Sequence, residues 1–434
     1  MALAHSSDNF AHAQANETGR AMTLIARSLG ERDFRMYFAG QSVSFVGTWV
    51  QQVAVSWIAY RLTGSALVLG VVAFAGQIPS LLLAPLGGLL ADRCSRRKIL
   101  IATQLAEMAV AALLAVLSAG SLLSPAILVG ASLAVGIAVA IEMPARHAFI
   151  AEIVYDAGNA SNAIALNSVA FNAARLLGPA IGGLVLAAYG DEACFGVNAL
   201  SYLPEVYTLL AIRPLASDQG RETAPSRAGG IDYLRRHTAA SWLLSTVACT
   251  SVAVSPFAML LPAYAKDILD GDPSVLGLLM GAAGCGALVS GLSMAGRRFV
   301  QGIESNIVHG CLLAGVTAGL FAWNTHYLIA LALMVFSGWS TVRIVTSSHA
   351  LLNAIVPDRV RGQLMAFYTM SYGGAVSLAS LAAGALTQTL GVQWMFALSA
   401  ALYLAAGFAL YSVLPDLRRE ITPVLVAKGL AATG

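Results

Sequence analysis

Twelve apolar stretches run through this chain, and nearly all of its basic residues fall on one side of them. A membrane-spanning helix takes roughly 20 apolar residues. Stretches of that kind lie near 36–60, 66–90, 98–119, 125–145, 160–188, 194–212, 241–265, 275–296, 306–323, 327–346, 362–389 and 392–414. With the N-terminus on the cytoplasmic side, 21 of the 25 Lys and Arg residues fall in segments facing the cytoplasm, Arg146 being counted in the loop after the fourth stretch. Only Arg61 and Lys266 face the other way, and Arg175 and Arg343 fall within stretches. Basic residues stay on the cytoplasmic side of a multi-pass protein. A missed stretch would invert every later loop and scramble this asymmetry, so the count and the orientation support each other. The outward loops carry acids instead: Asp191, Glu192, Asp267, Asp270 and Asp272.

The expected organisation is a cytoplasmic segment over 1–35, a six-helix bundle over 36–212, a linker over 213–240, a second six-helix bundle over 241–414 and a cytoplasmic tail over 415–434. The linker reads as a flexible stretch followed by a short amphipathic helix. Residues 1–35 lack the apolar core of a cleavable signal peptide, so the first stretch is expected to remain as a helix. Only 11% of the 434 residues are charged and 58% are hydrophobic, against about a quarter charged in a soluble domain. The net charge of +3 argues for no nucleic-acid partner. Five scattered cysteines form no CxxC pair and no metal-ligand spacing. No metal and no cofactor are expected, and no nucleotide-binding or hydrolase motif is present. Arg outnumbers Lys by 22 to 3, which suggests a GC-rich bacterial genome; the expected location is a bacterial inner membrane.

The halves resemble each other. ARHAFIAEIVYD (145–156) aligns with SSHALLNAIVPD (347–358), setting His147 on His349 and Asp156 on Asp358. Both stretches close a helix, and both histidines read as loop residues at helix ends. Duplicated halves of this kind place a transport site at their interface.

Between the second and third stretches stands GLLADRCSRR (88–97). A glycine at Gly88 suits close helix approach, and a carboxylate at Asp92 suits the positive N-terminus of a neighbouring helix. This segment resembles the G-x-L-A-D-R-x-G-R-R signature of the major facilitator superfamily, with Ser95 in place of the second glycine. The resemblance implies that Gly88, Asp92, Arg93, Arg96 and Arg97 form a conformational latch. The counterpart GLSMAGRR (291–298) keeps the glycine and the arginines and lacks the acid. In the fifth stretch, NAARLLGPAIGG (172–183) resembles the antiporter motif of exporters in that superfamily, on Arg175, Gly178, Pro179, Gly182 and Gly183, with Ala165 and Ala174 at its two earlier glycines. Segments 34–65 and 162–184 resemble the branch that holds the enterobactin exporter and many drug effluxers.

An ionisable residue within the hydrocarbon faces a cavity or a partner. Glu107, Glu205, Arg175 and Arg343 qualify as candidates for proton coupling, with Glu142 and Arg146 near the end of the fourth stretch. A carboxyl removed from water can take up and release a proton as its surroundings change. The competing role for Glu107 or Glu205 is a static partner of Arg175. Gln51, Gln52, Trp57, Asn167, Asn172, Trp339, Tyr368 and Tyr372 are candidates for lining a cavity. Amides that bond between helices and aromatics that anchor at the interface would serve equally well.

The expected fold is an all-α membrane protein of the major facilitator type, with 12 transmembrane helices in two six-helix bundles. The expected function is secondary-active export of small amphipathic organic molecules, such as a drug or a siderophore, by proton antiport and alternating access. The partners are then the substrate, protons and the lipid bilayer, and the protein is a monomer with both termini cytoplasmic. The alternatives are an importer or lysophospholipid flippase of the same fold, and a non-transporting membrane sensor, which would normally carry an added soluble domain. A membrane-embedded enzyme would need clustered His or Asp residues at one interface, and there is no such cluster.

Overall fold

In the computed structural model the described residues are 28–154, 157–212, 229–295 and 302–429. They are almost wholly helical. The first half holds α1 (Arg32–Thr63), α2 (Ala66–Arg93), α3 (Arg96–Ala119), α4 (Pro125–Ile153), α5 (Ala157–Tyr189) and α6 (Asp191–Ala211). A short linker helix, Gly230–Arg236, precedes the second half. There α7 (Thr238–Met259, continued by Leu261–Asp267), α8 (Pro273–Ala295), α9 (Ile303–Trp323) and α10 (Tyr327–Ile355) follow in order. Then α11 comes in two pieces, Asp358–Thr369 and Ala375–Leu390, joined by a π-helical turn at Met370–Gly374, and α12 is Val392–Ala427. Among the described residues nine of these helices are long and apolar enough to cross a membrane. The exceptions are α1, α6 and α11: the first two carry the polar residues described below, and the π-helical turn divides the third.

The duplication is complete at the level of packing. Within the first half α2 lies on α4, α1 on α5 and α6, and α3 on α4 and α6. Within the second half α8 lies on α10, α7 on α11 and α12, and α9 on α10 and α12. Each pairing recurs with its partners advanced by six. The contacts between halves obey the same rule, since α5 on α8 maps onto α11 on α2. His147 and His349 lie inside α4 and α10, not in the loops that follow them.

The halves meet toward the end of the molecule opposite its basic residues. There Tyr60 at the end of α1 donates to Asp267 at the end of α7, and Gln388 reaches Ser65 at 3.4 Å. Small residues make the rest of this seal. A Cβ on Gly183 of α5 would stand 2.6 Å from the Pro273 carbonyl and 2.9 Å from Cα of Gly277 on α8. A Cβ on Gly70 of α2 would stand 2.6 Å from the Ser380 carbonyl of α11. Helices approach this closely only where side chains are absent.

At the basic end, side chains cap helix C-termini. Arg97 donates to the Leu210 carbonyl at 2.6 Å, and Lys428 donates to the Ala354 carbonyl at 2.7 Å. Arg418 pairs with Glu304 of α9 at 2.9 Å. These anchors accompany the continuation of α12 as helix to Ala427, past the 414 at which its apolar run stops. Cations beside the last carbonyls of a helix satisfy otherwise orphaned acceptors and oppose the negative end of its dipole.

The seal carries a stability prediction. Gly183→Val forces apart α5 and α8 and should lower the thermal midpoint of the purified protein, at an overpacking cost of about 1–3 kcal/mol. Gly88→Val, with nothing within 4 Å of its added Cβ, should leave the midpoint unchanged. Differential scanning fluorimetry in one detergent separates the two.

Candidate functional site

The most charged part of the interior lies inside the first half, between α1, α3, α4 and α6. Arg146 is 8% exposed, Glu142 2%, Glu107 4% and Glu205 0%. Arg146 forms an ion pair with Glu142 one turn earlier on α4 and stands 3.9 Å from Glu205 of α6. Gln104 of α3 donates to the same Glu142 carboxylate at 2.9 Å. With its amide oriented by its neighbours, Gln41 of α1 donates to Asn167 at 2.6 Å and accepts from Arg146 Nε at 2.9 Å and from the Tyr37 hydroxyl at 3.2 Å. The guanidinium also lies over the Phe45 ring, 4.8 Å from its centre. Among the described residues, Oε1 of Glu107 and both oxygens of Glu205 have no hydrogen-bond partner.

The site is built from one face of α1. Tyr37, Gln41, Ser44, Thr48 and Gln51 recur at spacings of three and four, which puts them on a single stripe. Two glycines on the same helix let α6 close over that stripe: a Cβ on Gly40 would stand 2.9 Å from the Pro204 carbonyl, and one on Gly47 would stand 2.6 Å from Asn198 Oδ1. The polar chain then continues outward. Tyr202 of α6 reaches the Thr48 hydroxyl of α1 at 3.5 Å, and Asn198 donates to Gln51 at 2.8 Å.

Three buried carboxyls therefore accompany one guanidinium, which pairs with Glu142 and lies near Glu205, in a setting from which water is excluded. If all three were ionised, two negative charges would lie uncompensated, and an unpaired charge in the hydrocarbon region is expensive. The unpartnered oxygens of Glu107 and Glu205 are places where protons can sit. What the arrangement can do chemically is hold protons and exchange them when Arg146 moves.

The expected partnership of Glu107 or Glu205 with Arg175 is not found. Arg146 takes that place, and Arg175 instead lies over the Trp49 ring at 5.9 Å. Arg146 is a residue of α4 and not of the loop in which the charge tally counted it. The signal that could have located the site was present: Glu142 and Arg146 stand four apart on one helix, opposite a polar stripe on α1. Arg343 of α10 lies over the Trp339 ring at 4.8 Å and donates to Asn306 at 2.8 Å and Ser293 at 3.2 Å, far from the carboxyls in sequence and in the other half.

The remaining candidates divide by location. Gln51 and Asn167 belong to the buried network and do not line open space, and Trp57 and Tyr368 are buried. Tyr368 donates to the Val345 carbonyl at 2.7 Å. Gln52 is exposed, Tyr372 stands on the π-helical turn of α11, and Asn172 is half-buried. In the latch segment Asp92 and Arg93 are exposed, Arg96 pairs with Glu152 of α4 and Arg97 caps α6. The glycine of close approach is Gly87, whose Cβ would stand 2.5 Å from the Ala140 carbonyl; Gly88 faces open space. In the second-half counterpart, Arg297 and Arg298 lie outside the described residues. On α5, Gly178 and Gly182 face α1, with added Cβ atoms 2.5 Å from Trp49 Cβ and 2.9 Å from Val50 Cα, while Gly183 faces α8. The carbonyl of Pro179 also lies against Gly277 of α8.

Residues 27–424 match the family described as transmembrane secretion effector. The chain is 24% identical over 375 residues to the staphyloferrin A transporter of Staphylococcus aureus, covering 84% of this chain and 92% of that protein. It is 25% identical over 384 residues to the multidrug efflux pump Tap of Mycolicibacterium fortuitum, covering 86% and 93%. Among solved structures, the peptide transporter POT superposes with a TM-score of 0.73 at 13% identity, over 89% of this chain and 95% of that one.

The ionic cluster makes an asymmetric prediction. Arg146→Gln strands the carboxyls and should destabilise the protein by about 3–5 kcal/mol, whereas Glu205→Gln removes one excess charge and should be tolerated. Thermal midpoints of both variants, and of Arg146→Gln combined with Glu142→Gln, test this. A midpoint for the single arginine variant equal to wild type would refute it.

Proposed function

The chain belongs to the transmembrane secretion effector family of the major facilitator superfamily, and from that premise we propose that it exports small amphipathic organic molecules by proton antiport. It is a multi-pass membrane transporter and not an enzyme. We assign its basic end to the cytoplasm of a bacterial inner membrane, with both termini on that side.

The observation that carries the proposal is the buried cluster of three carboxyls and one guanidinium. A proton entering at Glu107 or Glu205 lowers the excess negative charge around Arg146 and biases the packing of α4 against α1 and α6. That is a protonation event able to bias two arrangements of the helices. The closed seal between the halves at the end opposite the basic residues corresponds to a state open toward the cytoplasm. Exposure of Asp92 and the open space at Gly88 fit the same state, with the latch waiting to engage when the basic ends come together. The α5 motif supports export: Gly178, Gly182 and Gly183 let one helix pack tightly on α1 and on α8 at once, which suits a barrier against back-leak. Relatives named for efflux and for a siderophore support a small organic cargo.

Two measurements test the reading. Overexpression should lower, and deletion should raise, the cellular accumulation of compounds in a panel of amphipathic drugs and siderophores; the opposite pattern would make the protein an importer. In everted vesicles, an exported compound should dissipate a preformed proton gradient. Glu205→Gln should abolish gradient-driven accumulation while sparing substrate exchange at equal pH, and unchanged driven accumulation in both Glu107→Gln and Glu205→Gln would remove protons from the mechanism of this cluster.

A further inference from the structure

The face of α5 that looks between the halves carries a cation at mid-membrane. Its residues sort by angle, at 100° per residue. Gly178 and Gly182 touch α1 of the first half, while Leu176 and Gly183 touch α8 of the second. Ser168, Asn172 and Arg175 recur at spacings of four and three in the wedge between those two contacts. Ser168 is exposed, and Asn172 and Arg175 are half-buried. The exposed apolar residues Leu177, Ile181 and Leu184 occupy the opposite side. Because α1 and α8 belong to different halves, the wedge between them is the cleft where the halves face each other.

Arg175 stands at the middle of the apolar span Asn162–Tyr189. Among the described residues Arg175 forms no ion pair within 4.0 Å, and its guanidinium lies over the face of Trp49. The Trp49 ring lies 6.1 Å from Phe171, which in turn meets Phe45 edge-on at 5.3 Å. Arg175 therefore has an aromatic wall beside it and an open polar strip beneath it. A guanidinium presents a planar fork of donors that fits a carboxylate or another oxyanion. A ring face holds a cation without neutralising it.

We propose that Arg175 with Trp49 and Phe171 forms the substrate subsite of this exporter, and that it takes amphipathic organic anions, the acid group on Arg175 and the apolar body on the rings. This names the substrate class of the transport reading above and rests on it. The two charged sites then have different roles. The acids buried with Arg146 handle protons, and the cation in the cleft handles cargo.

The test uses the full-length protein in nanodiscs and three probes of one shape: 1-naphthaleneacetate, its neutral amide and the cationic 2-(1-naphthyl)ethylamine. Binding is read by quenching of tryptophan fluorescence. Wild type should bind the anion about tenfold or more tightly than the amide, from one charged hydrogen-bonded contact, and the cation most weakly. Arg175→Gln should erase the difference between anion and amide, Arg175→Lys should keep part of it, and Trp49→Leu should weaken anion and amide alike. A cation-preferring wild type, or an anion preference that survives in a folded Arg175→Gln protein, overturns the proposal. Vesicle transport separates this from the export reading. Anion-selective binding without driven transport sustains the subsite and defeats the exporter, whereas driven export of the cationic probe does the reverse.

Discussion

Everything in this molecule follows from placing a guanidinium and three carboxyls where water cannot reach them. A bilayer offers no hydrogen bonds, so each buried polar group must find its partners in neighbouring helices. Arg146 does so by drawing on Glu142 of its own helix, Gln41 and Phe45 of α1, and Glu205 of α6. That set of contacts ties α4 to α1 and α6. The glycines at 40 and 47 serve the same end, because α6 could not close over the polar stripe of α1 with larger residues there.

The duplication makes this site more informative. The main helix pairings of the first half recur in the second, and α4 and α10 have the same length. Yet the positions that match Glu142 and Arg146 at the offset of the repeat are Ile344 and Ser348. The scaffold is two-fold and the charge is not. In the proton-antiport reading proposed above, the element that drives the rocking of two symmetric bundles would lie in a single half. The second half contributes a different kind of polarity, with Arg343 on Trp339 and neutral oxygens of Asn306 and Ser293 around it.

Much of the fold was legible because membrane helices are written in long apolar runs and in the side on which arginines fall. Both signals are local or additive, so they survive without knowledge of packing. The motif of α5 was legible for a related reason, since small residues at spacings of four declare a close contact before the partner is known. The partner of each charge was not. Glu205 faces Arg146 rather than Arg175 because α5 is turned so that Arg175 lies on Trp49, and helix rotation is set by tertiary contacts that spacing alone does not encode. Gly87 rather than Gly88 touches α4 for the same reason: one residue is 100° of rotation. Gln51 and Asn167 read as cavity residues because an amide in a span looks the same whether it faces a cleft or a neighbouring helix. The stripe on α1 resolves that ambiguity only once its repeat of three and four is read together with the Glu142–Arg146 pair.

The two arginines of the first half are joined by a short run of rings. Arg146 lies on Phe45, Phe45 meets Phe171, Phe171 packs toward Trp49, and Arg175 lies on Trp49. Phe45 and Trp49 stand four apart on α1, so the two arginines rest on rings that share one helix face. Contact by itself transmits nothing; coupling requires an element with two arrangements that both sites bias. α1 is the element that both sites touch, since α6 and α4 pack on its polar stripe while the glycines of α5 pack on another side of it. In the reading proposed above, a proton that loosens Arg146 would change one contact of α1 and an anion on Arg175 would change another. If both acted on that helix, linkage would require the two affinities to respond to each other by the same factor.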